Sequence, residues 1–171
     1  NRDTQLQKMY SSTPHHLVVG LARVAGTDYR FKLYHYDGSA YSAIKQEDAD
    51  PTLAILFKPM GSPLPEANYV ASDADYVDYI TELMGGFAIP TFIKEIRKGK
   101  KYLFMGMRFL RDTERMVLSD IIYDAADPAG WALVANPTDK ELRFCAKKNI
   151  QVLHFDWQHF ITYSAQLKLS A

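Results

Sequence analysis

From Tyr102 onward, apolar runs and amphipathic stretches alternate at a nearly constant spacing. "YLFMG", "GWALVAN" (Gly130 to Asn136) and "IQVLHF" read as buried strands. Between and after them lie three helical patterns. One runs from about Asp112 to Tyr123, and one follows Thr138 through Lys148. The last, "WQHFITYSAQL", starts after a capping Asp156. Thr138 with Glu141 makes a capping box, the hydroxyl and the carboxylate each satisfying a free helix N–H. A β-α-β-α-β-α order predicts an α/β fold, Rossmann-like, with a mainly parallel sheet and right-handed crossovers. Such sheets bind ligands beyond the carboxyl ends of their strands. Gly106, Asn136 and the His154–Asp156 corner fall there.

The first half leans toward strands. "HHLVVGL" (His15 to Leu21) is a short apolar strand. "RFKLYHYDG" alternates with period two and ends on an Asp37-Gly38 turn. "TLAILF" (Thr52 to Phe57) is apolar on both faces, as in a central strand. "GSPLPEAN" carries two prolines and reads as a loop. Ser72 and Asp75 form a capping-box variant for "DADYVDYITELM", which Gly85-Gly86 stops. Pro90 opens "TFIKEIRK", which ends at Gly99. No repeat, linker or composition break divides the chain, so residues 1–171 read as one domain.

Charge removes whole classes of function. Lys plus Arg and Asp plus Glu number 20 each. No basic excess exists for a nucleic-acid backbone, so no nucleic-acid partner is expected. No run approaches the roughly 20 apolar residues of a membrane span, and no signal-peptide core opens the chain. The lone Cys145 allows neither an internal disulfide nor a cysteine-based zinc cluster. A cytoplasmic location fits that usage. The first residue is Asn1, which is compatible with a fragment of a longer protein.

Gly106 either lets a ligand approach the backbone closely or makes a tight turn, and spacing alone favours the turn. No G-x-G-x-x-G and no G-x-x-x-x-G-K-[ST] supplies a phosphate cradle. Arg108 and Arg111 are the candidate phosphate grips, although Arg111 beside Asp112 reads as a local pair. His15 and His16 point to opposite faces of a strand and do not share an ion, which predicts one buried and one exposed. His154 and His159 lack metal-ligand spacing, and no metal is expected. Asp73, Asp75 and Asp78 read as an exposed first helical turn. Cys145 reads as a core residue.

"FKPMGS", "YVASDADYVDYI", "YLFMGMRFLRD" and "GWALVANPTDKELRFCAKKNIQVLHFDWQHF" occur in this order. Together they resemble the carboxyl-terminal portion of the sirtuin-like superfamily, bacterial NAD-binding domains related to the protein deacylases. The likeness runs from about Thr52 to Phe160. Members show a His-Gly-Ser after a buried strand, a "DDY" helix, a strand ending "LFLGYSLRD" and a closing strand–helix pair. The resemblance implies binding of NAD or ADP-ribose. It places Gly106, Met107 and Arg108 along the ribose and phosphate, Asn136 near the adenosine ribose, and His154 and Phe155 near the adenine.

The departures bear on activity. Met60 stands where the family has its catalytic His, and a thioether takes no proton. Gly20-Leu21-Ala22-Arg23 replaces the Thr-Thr-Asn-x-Asp that addresses the nicotinamide ribose. The family's glycine-rich loop has no counterpart. General-base catalysis supplies roughly 10²–10⁴-fold in rate, and the other two losses remove binding and positioning. The resemblance therefore implies a pseudoenzyme, an interaction or NAD/ADP-ribose-sensing module. The alternative is an NAD hydrolase or deacylase whose amino-terminal half lies outside this chain, with Asp75 or another histidine as base. A sheet edge left open implies a protein partner or a homo-oligomer.

Overall fold

The computed structural model describes residues 3–22 and 29–169. They form two compact units, Asn1–Ile96 and Arg97–Ala171. The architecture is mixed α/β.

The first unit is built around β1 (His15–Gly20). Its sheet has the order β3-β2-β1-β4, with β2 spanning Phe31–Tyr36, β3 Tyr41–Ala43 and β4 Ala54–Lys58. β4 runs parallel to β1, whereas β2 and β3 run antiparallel. Parallel pairing therefore does not dominate this unit, contrary to the expectation of a mainly parallel sheet. The cause is local. The Asp37 Oδ1 accepts hydrogen bonds from the Ser39 N–H at 2.7 Å, the Ser39 hydroxyl at 2.8 Å and the Ala40 N–H at 2.9 Å. So tight a turn can join only antiparallel neighbours.

Both faces of this sheet are covered. Leu17, Val19, Tyr34 and Leu56 pack on one face with Tyr10 and Tyr41. Val18, Phe31 and Leu33 pack on the other with Ile55, Phe57, Phe92 and Ile93. The alternation of "RFKLY" thus puts Phe31 and Leu33 in one core and Tyr34 in the other, with Lys32 exposed. For the same reason His15 and His16 are both buried, and the expectation that one is exposed is corrected.

A 3₁₀ turn (Gln46–Asp48) precedes β4. Two short paired strands, β5 (Gly61–Ser62) and β6 (Asn68–Tyr69), flank the proline-rich loop. A short helix, α1 (Gln5–Met9), lies before β1. In α2 (Asp73–Met84) the Ser72–Asp75 capping box is formed in full. Tyr79 and Leu83 bury the inner stripe of that helix. Helix α3 (Thr91–Ile96) starts one residue after Pro90 and is shorter than the sequence pattern suggests.

In the second unit, β7 (Tyr102–Phe104), β8 (Gly130–Leu133) and β9 (Ile150–Leu153) form a parallel sheet in chain order. Helices α4 (Asp112–Ile121) and α5 (Asp139–Lys147) make the crossovers, and α6 (Trp157–Leu169) follows β9. Phe104, Ala132 and Ile150 pack from the sheet against Leu118, Ile122 and Cys145 of the helical layer. Burial pushes the Cys145 thiol up to about 11, so it stays protonated. No helix among the described residues is long and apolar enough to cross a membrane.

Candidate functional site

Two places hold the residues singled out by the sequence, one in each unit.

In the second unit the parallel register sets Phe104 beside Ala132, and Ala132 beside Val152. The next residues of all three strands leave the sheet at one edge. Gly106 turns there with φ of +66°, a left-handed conformation that costs other residues about 1–2 kcal/mol. Both sequence readings of Gly106 thus remain compatible: it makes the turn, and it is exposed. Asn136, His154 and Phe155 are exposed at the same edge. Met107 departs from this group, because its side chain packs against the core that holds Phe104 and Phe109.

Arg108 is held from inside. Its Nε donates to Oε1 of Glu141 at 2.5 Å, and its Nη2 donates to Oε2 at 2.8 Å. Nη2 also reaches the Asn136 carbonyl at 3.4 Å. Glu141 is buried, and its Oε2 accepts the Thr138 N–H at 2.8 Å and the Thr138 hydroxyl at 2.9 Å. The Arg108 guanidinium, with the Thr138 bonds, holds the Glu141 carboxyl down at about 2. One side chain therefore caps α5 and clamps the loop after β7. Arg115 clamps the same loop from α4, donating to the carbonyls of Phe109 at 2.8 Å and Leu110 at 2.9 Å. Arg115 also takes the Asp112 carboxylate. The pair read from sequence as Arg111–Asp112 is replaced by Arg115–Asp112, one helical turn apart.

Trp157, at the start of α6, completes this edge. Its Nε1 lies 3.7 Å from where a Cβ on Gly106 would stand. Asp156 accepts the Gln158 N–H at 2.9 Å, which fixes the entry to the helix as the sequence suggests. Sequence reading missed Trp157, Arg115 and Glu141 as site-forming residues. Only Glu141 carried a signal, its capping-box spacing.

In the first unit the turn after β4 carries Met60. Its carbonyl accepts the Val70 N–H at 3.2 Å. The neighbouring Lys58 is fully buried, which lowers its amine from the usual range. Its Nζ donates to the Asp3 carbonyl and to Oε1 of Gln7, the latter at 3.0 Å. Gln7 Nε2 in turn donates to the Ser62 hydroxyl at 2.9 Å. Polar groups of α1 and of the segment before it thus satisfy the buried end of β4. Gly20 ends β1 directly beneath this turn, and a Cβ there would stand 2.0 Å from the Pro59 carbonyl. The segment Gly20-Leu21-Ala22-Arg23 continues from it, and Arg23 lies outside the described residues.

The histidines of this unit sit at the other end of the sheet. His16 pairs with Ile55 in register, five residues before Met60, roughly 15 Å along the strand. His15 Nδ1 donates to the Thr13 carbonyl at 2.8 Å, and Nε2 accepts from the Tyr41 hydroxyl at 2.8 Å. His16 Nε2 accepts the Asp50 N–H at 2.9 Å, so its proton sits on Nδ1. Asp75, the other base suggested by sequence, accepts the Ser72 N–H at 2.9 Å in its capping box. No group of three metal-ligating side chains occurs among the described residues.

A family model describing a SIR2-like domain matches residues 3–153. No curated protein and no solved structure matches the chain.

Proposed function

The chain belongs to the SIR2-like domain family, and from that premise we propose that it binds NAD or ADP-ribose without consuming it, as a sensing or interaction module. The observation that carries this reading is Met60, with the three histidines of its unit at the far end of the sheet. NAD supplies an electrophilic ribose when bound, and a general base must accept a proton from the attacking group. Neither Met60 nor Lys58, whose amine is held by a carbonyl and an amide oxygen, fits that task.

The strand ends of the second unit fit the adenosine side better. Gly106 and Asn136 offer close backbone approach and an exposed amide, and Phe155 offers an exposed aromatic face. Met107 and Arg108 are engaged in the core and with Glu141, so we give them a supporting role. His154 is exposed beside Phe155 and remains in the proposed site. The family match spans both units, which supports reading them as one Rossmann-like domain. Exposed Phe160, Ile161 and Tyr163 on α6 support a protein-facing role for the same module.

Calorimetric titration with NAD and ADP-ribose, followed by chromatography for nicotinamide, tests the proposal. Micromolar binding with no nicotinamide released is the expected result. Release of nicotinamide at a rate above the spontaneous one overturns the non-consuming reading. Absence of binding by both ligands overturns the sensing reading.

A further inference from the structure

We propose that Glu141 is a positioning residue of the strand-end site: through Arg108 it fixes the loop after β7, which carries Gly106, against the loop after β8, which carries Asn136. The inference rests on the reading that this edge holds ADP-ribose or the ADP-ribose part of NAD.

Capping α5 does not need everything that Glu141 does. A capping box needs one carboxylate oxygen near the free N–H groups at the helix start. Oε2 supplies it, accepting the Thr138 N–H at 2.8 Å and the Thr138 hydroxyl at 2.9 Å. The Ser72–Asp75 box closes α2 with local bonds of the same kind. Oε1 of Glu141 takes no part in the cap and accepts from Arg108 Nε at 2.5 Å. The Glu141 side chain is 1 % exposed and that of Arg108 is 51 % exposed. A buried carboxylate thus reaches out of its own helical turn to hold a surface guanidinium.

The bonds tie the two loops together. Arg108 Nη2 donates to Glu141 Oε2 at 2.8 Å and reaches the Asn136 carbonyl at 3.4 Å. Arg108 is therefore fixed both to the loop after β8 and to the helix that follows it. Gly106 stands just before Arg108 in the same loop. A buried ion pair adds little stability over an apolar pair of similar volume, because desolvation offsets the attraction. It does impose geometry, since the planar guanidinium fork meets a carboxylate in few orientations. Here that geometry sets where Gly106 and Asn136 stand relative to each other. Glu141 is too buried to touch a ligand, so its effect on binding passes through the loops.

The test uses the intact chain and calorimetric titration with ADP-ribose. Glu141→Gln keeps an acceptor for the α5 cap but releases Arg108. It should weaken binding about ten-fold, within the range by which residues without ligand contact shift affinity. Thr138→Val loses the capping hydroxyl and leaves the carboxylate to Arg108. It should lower Tm with an unchanged dissociation constant. In an Arg108→Lys background, Glu141→Gln should change affinity less than about two-fold, because the clamp is already open. A full further loss in that background would place the effect outside the clamp and overturn the inference. Unchanged affinity in Glu141→Gln, or equal weakening by Glu141→Gln and Thr138→Val, would make Glu141 a capping residue only and leave the nucleotide-binding reading intact. A complete lack of binding by the wild-type chain would remove that reading and this inference together. Where Glu141→Gln fails to fold by circular dichroism, the ligand-free Arg108→Lys protein decides by NMR. The Gly106 and Asn136 amide signals should both shift, and an unmoved Asn136 signal overturns the proposal.

Discussion

The guanidinium of Arg108 and the carboxylate of Glu141 meet in a two-point ion pair across 33 residues of sequence, with one partner exposed and the other buried. The pair joins the loop after β7 to the first turn of α5. Glu141→Gln keeps a capping acceptor but loses the charge facing Arg108. It should lower stability by about 2–4 kcal/mol, read as a shift in the denaturation midpoint with the slope unchanged. A shift below 0.5 kcal/mol would mean that solvent replaces the carboxylate without cost.

The same pair sets an acid limit. The Glu141 carboxyl lies at about 2 in the fold against an ordinary 4.5. A depressed carboxyl contributes stability that is fully present above the ordinary value and is lost as pH falls from there toward 2. Wild-type protein should therefore lose stability steeply between those limits, and Glu141→Gln should show a shallower loss. Parallel slopes for the two proteins would count against the ion pair as the source.

His16 acts in a higher window. Burial and the nearby His35 lower its pKa below the ordinary 6.5. The neutral ring is favoured in the fold because its Nε2 must accept the Asp50 N–H. Its contribution is complete above 6.5 and falls as pH drops below that value, since the unfolded chain then binds the extra proton. Urea midpoints measured from pH 7.5 to 5 should decline, and His16→Gln should flatten the decline. An unchanged slope in His16→Gln would assign the effect to another group.

Gly106→Ala separates backbone strain from crowding. The added methyl meets Trp157 only at ordinary contact distance, so the cost arises from φ of +66°. Alanine should destabilise the chain by about 1–2 kcal/mol, a drop of several degrees in Tm. Gly106→Asn should cost less, because asparagine tolerates the left-handed region better. Equal losses for the two variants would point to contact rather than conformation.

Met60→His should not by itself create an NAD-consuming enzyme. On the proposed reading the substitution supplies a proton acceptor after β4 but leaves Gly20-Leu21-Ala22 at the end of β1 without a polar side chain to hold a ribose. Nicotinamide release should stay at the spontaneous rate in a chromatographic assay. Clear turnover by Met60→His would show that a base at this position is enough for NAD consumption.

Local chemistry was legible in the sequence, and long-range pairing was not. The Ser72–Asp75 and Thr138–Glu141 boxes and the Asp37-Gly38 turn each depend on residues within four positions, and each formed as read. The parallel sheet of the second unit was visible because strand and helix periods alternate cleanly there. The burial of both His15 and His16 was not visible, because it depends on layers such as Phe92 and Ile93 that cover a second face from distant segments. The same distance hid the partner of Arg108. A guanidinium that looks free in sequence reads as a phosphate grip, whereas its carboxylate lies on α5, beyond α4 and β8. Trp157 gave no signal at all, since one aromatic at a helix start has many uses. The positions of Gly106, Asn136 and His154 at one sheet edge followed from topology alone.

β1 is paired on both sides and covered on both faces. Its amide protons cannot reach water by fraying of an edge or by the opening of a single loop. They exchange only when the whole first unit comes apart. β1 thus serves as an internal clock for global opening, and ligand-induced slowing of its exchange would report stabilisation of the whole unit rather than a local closure.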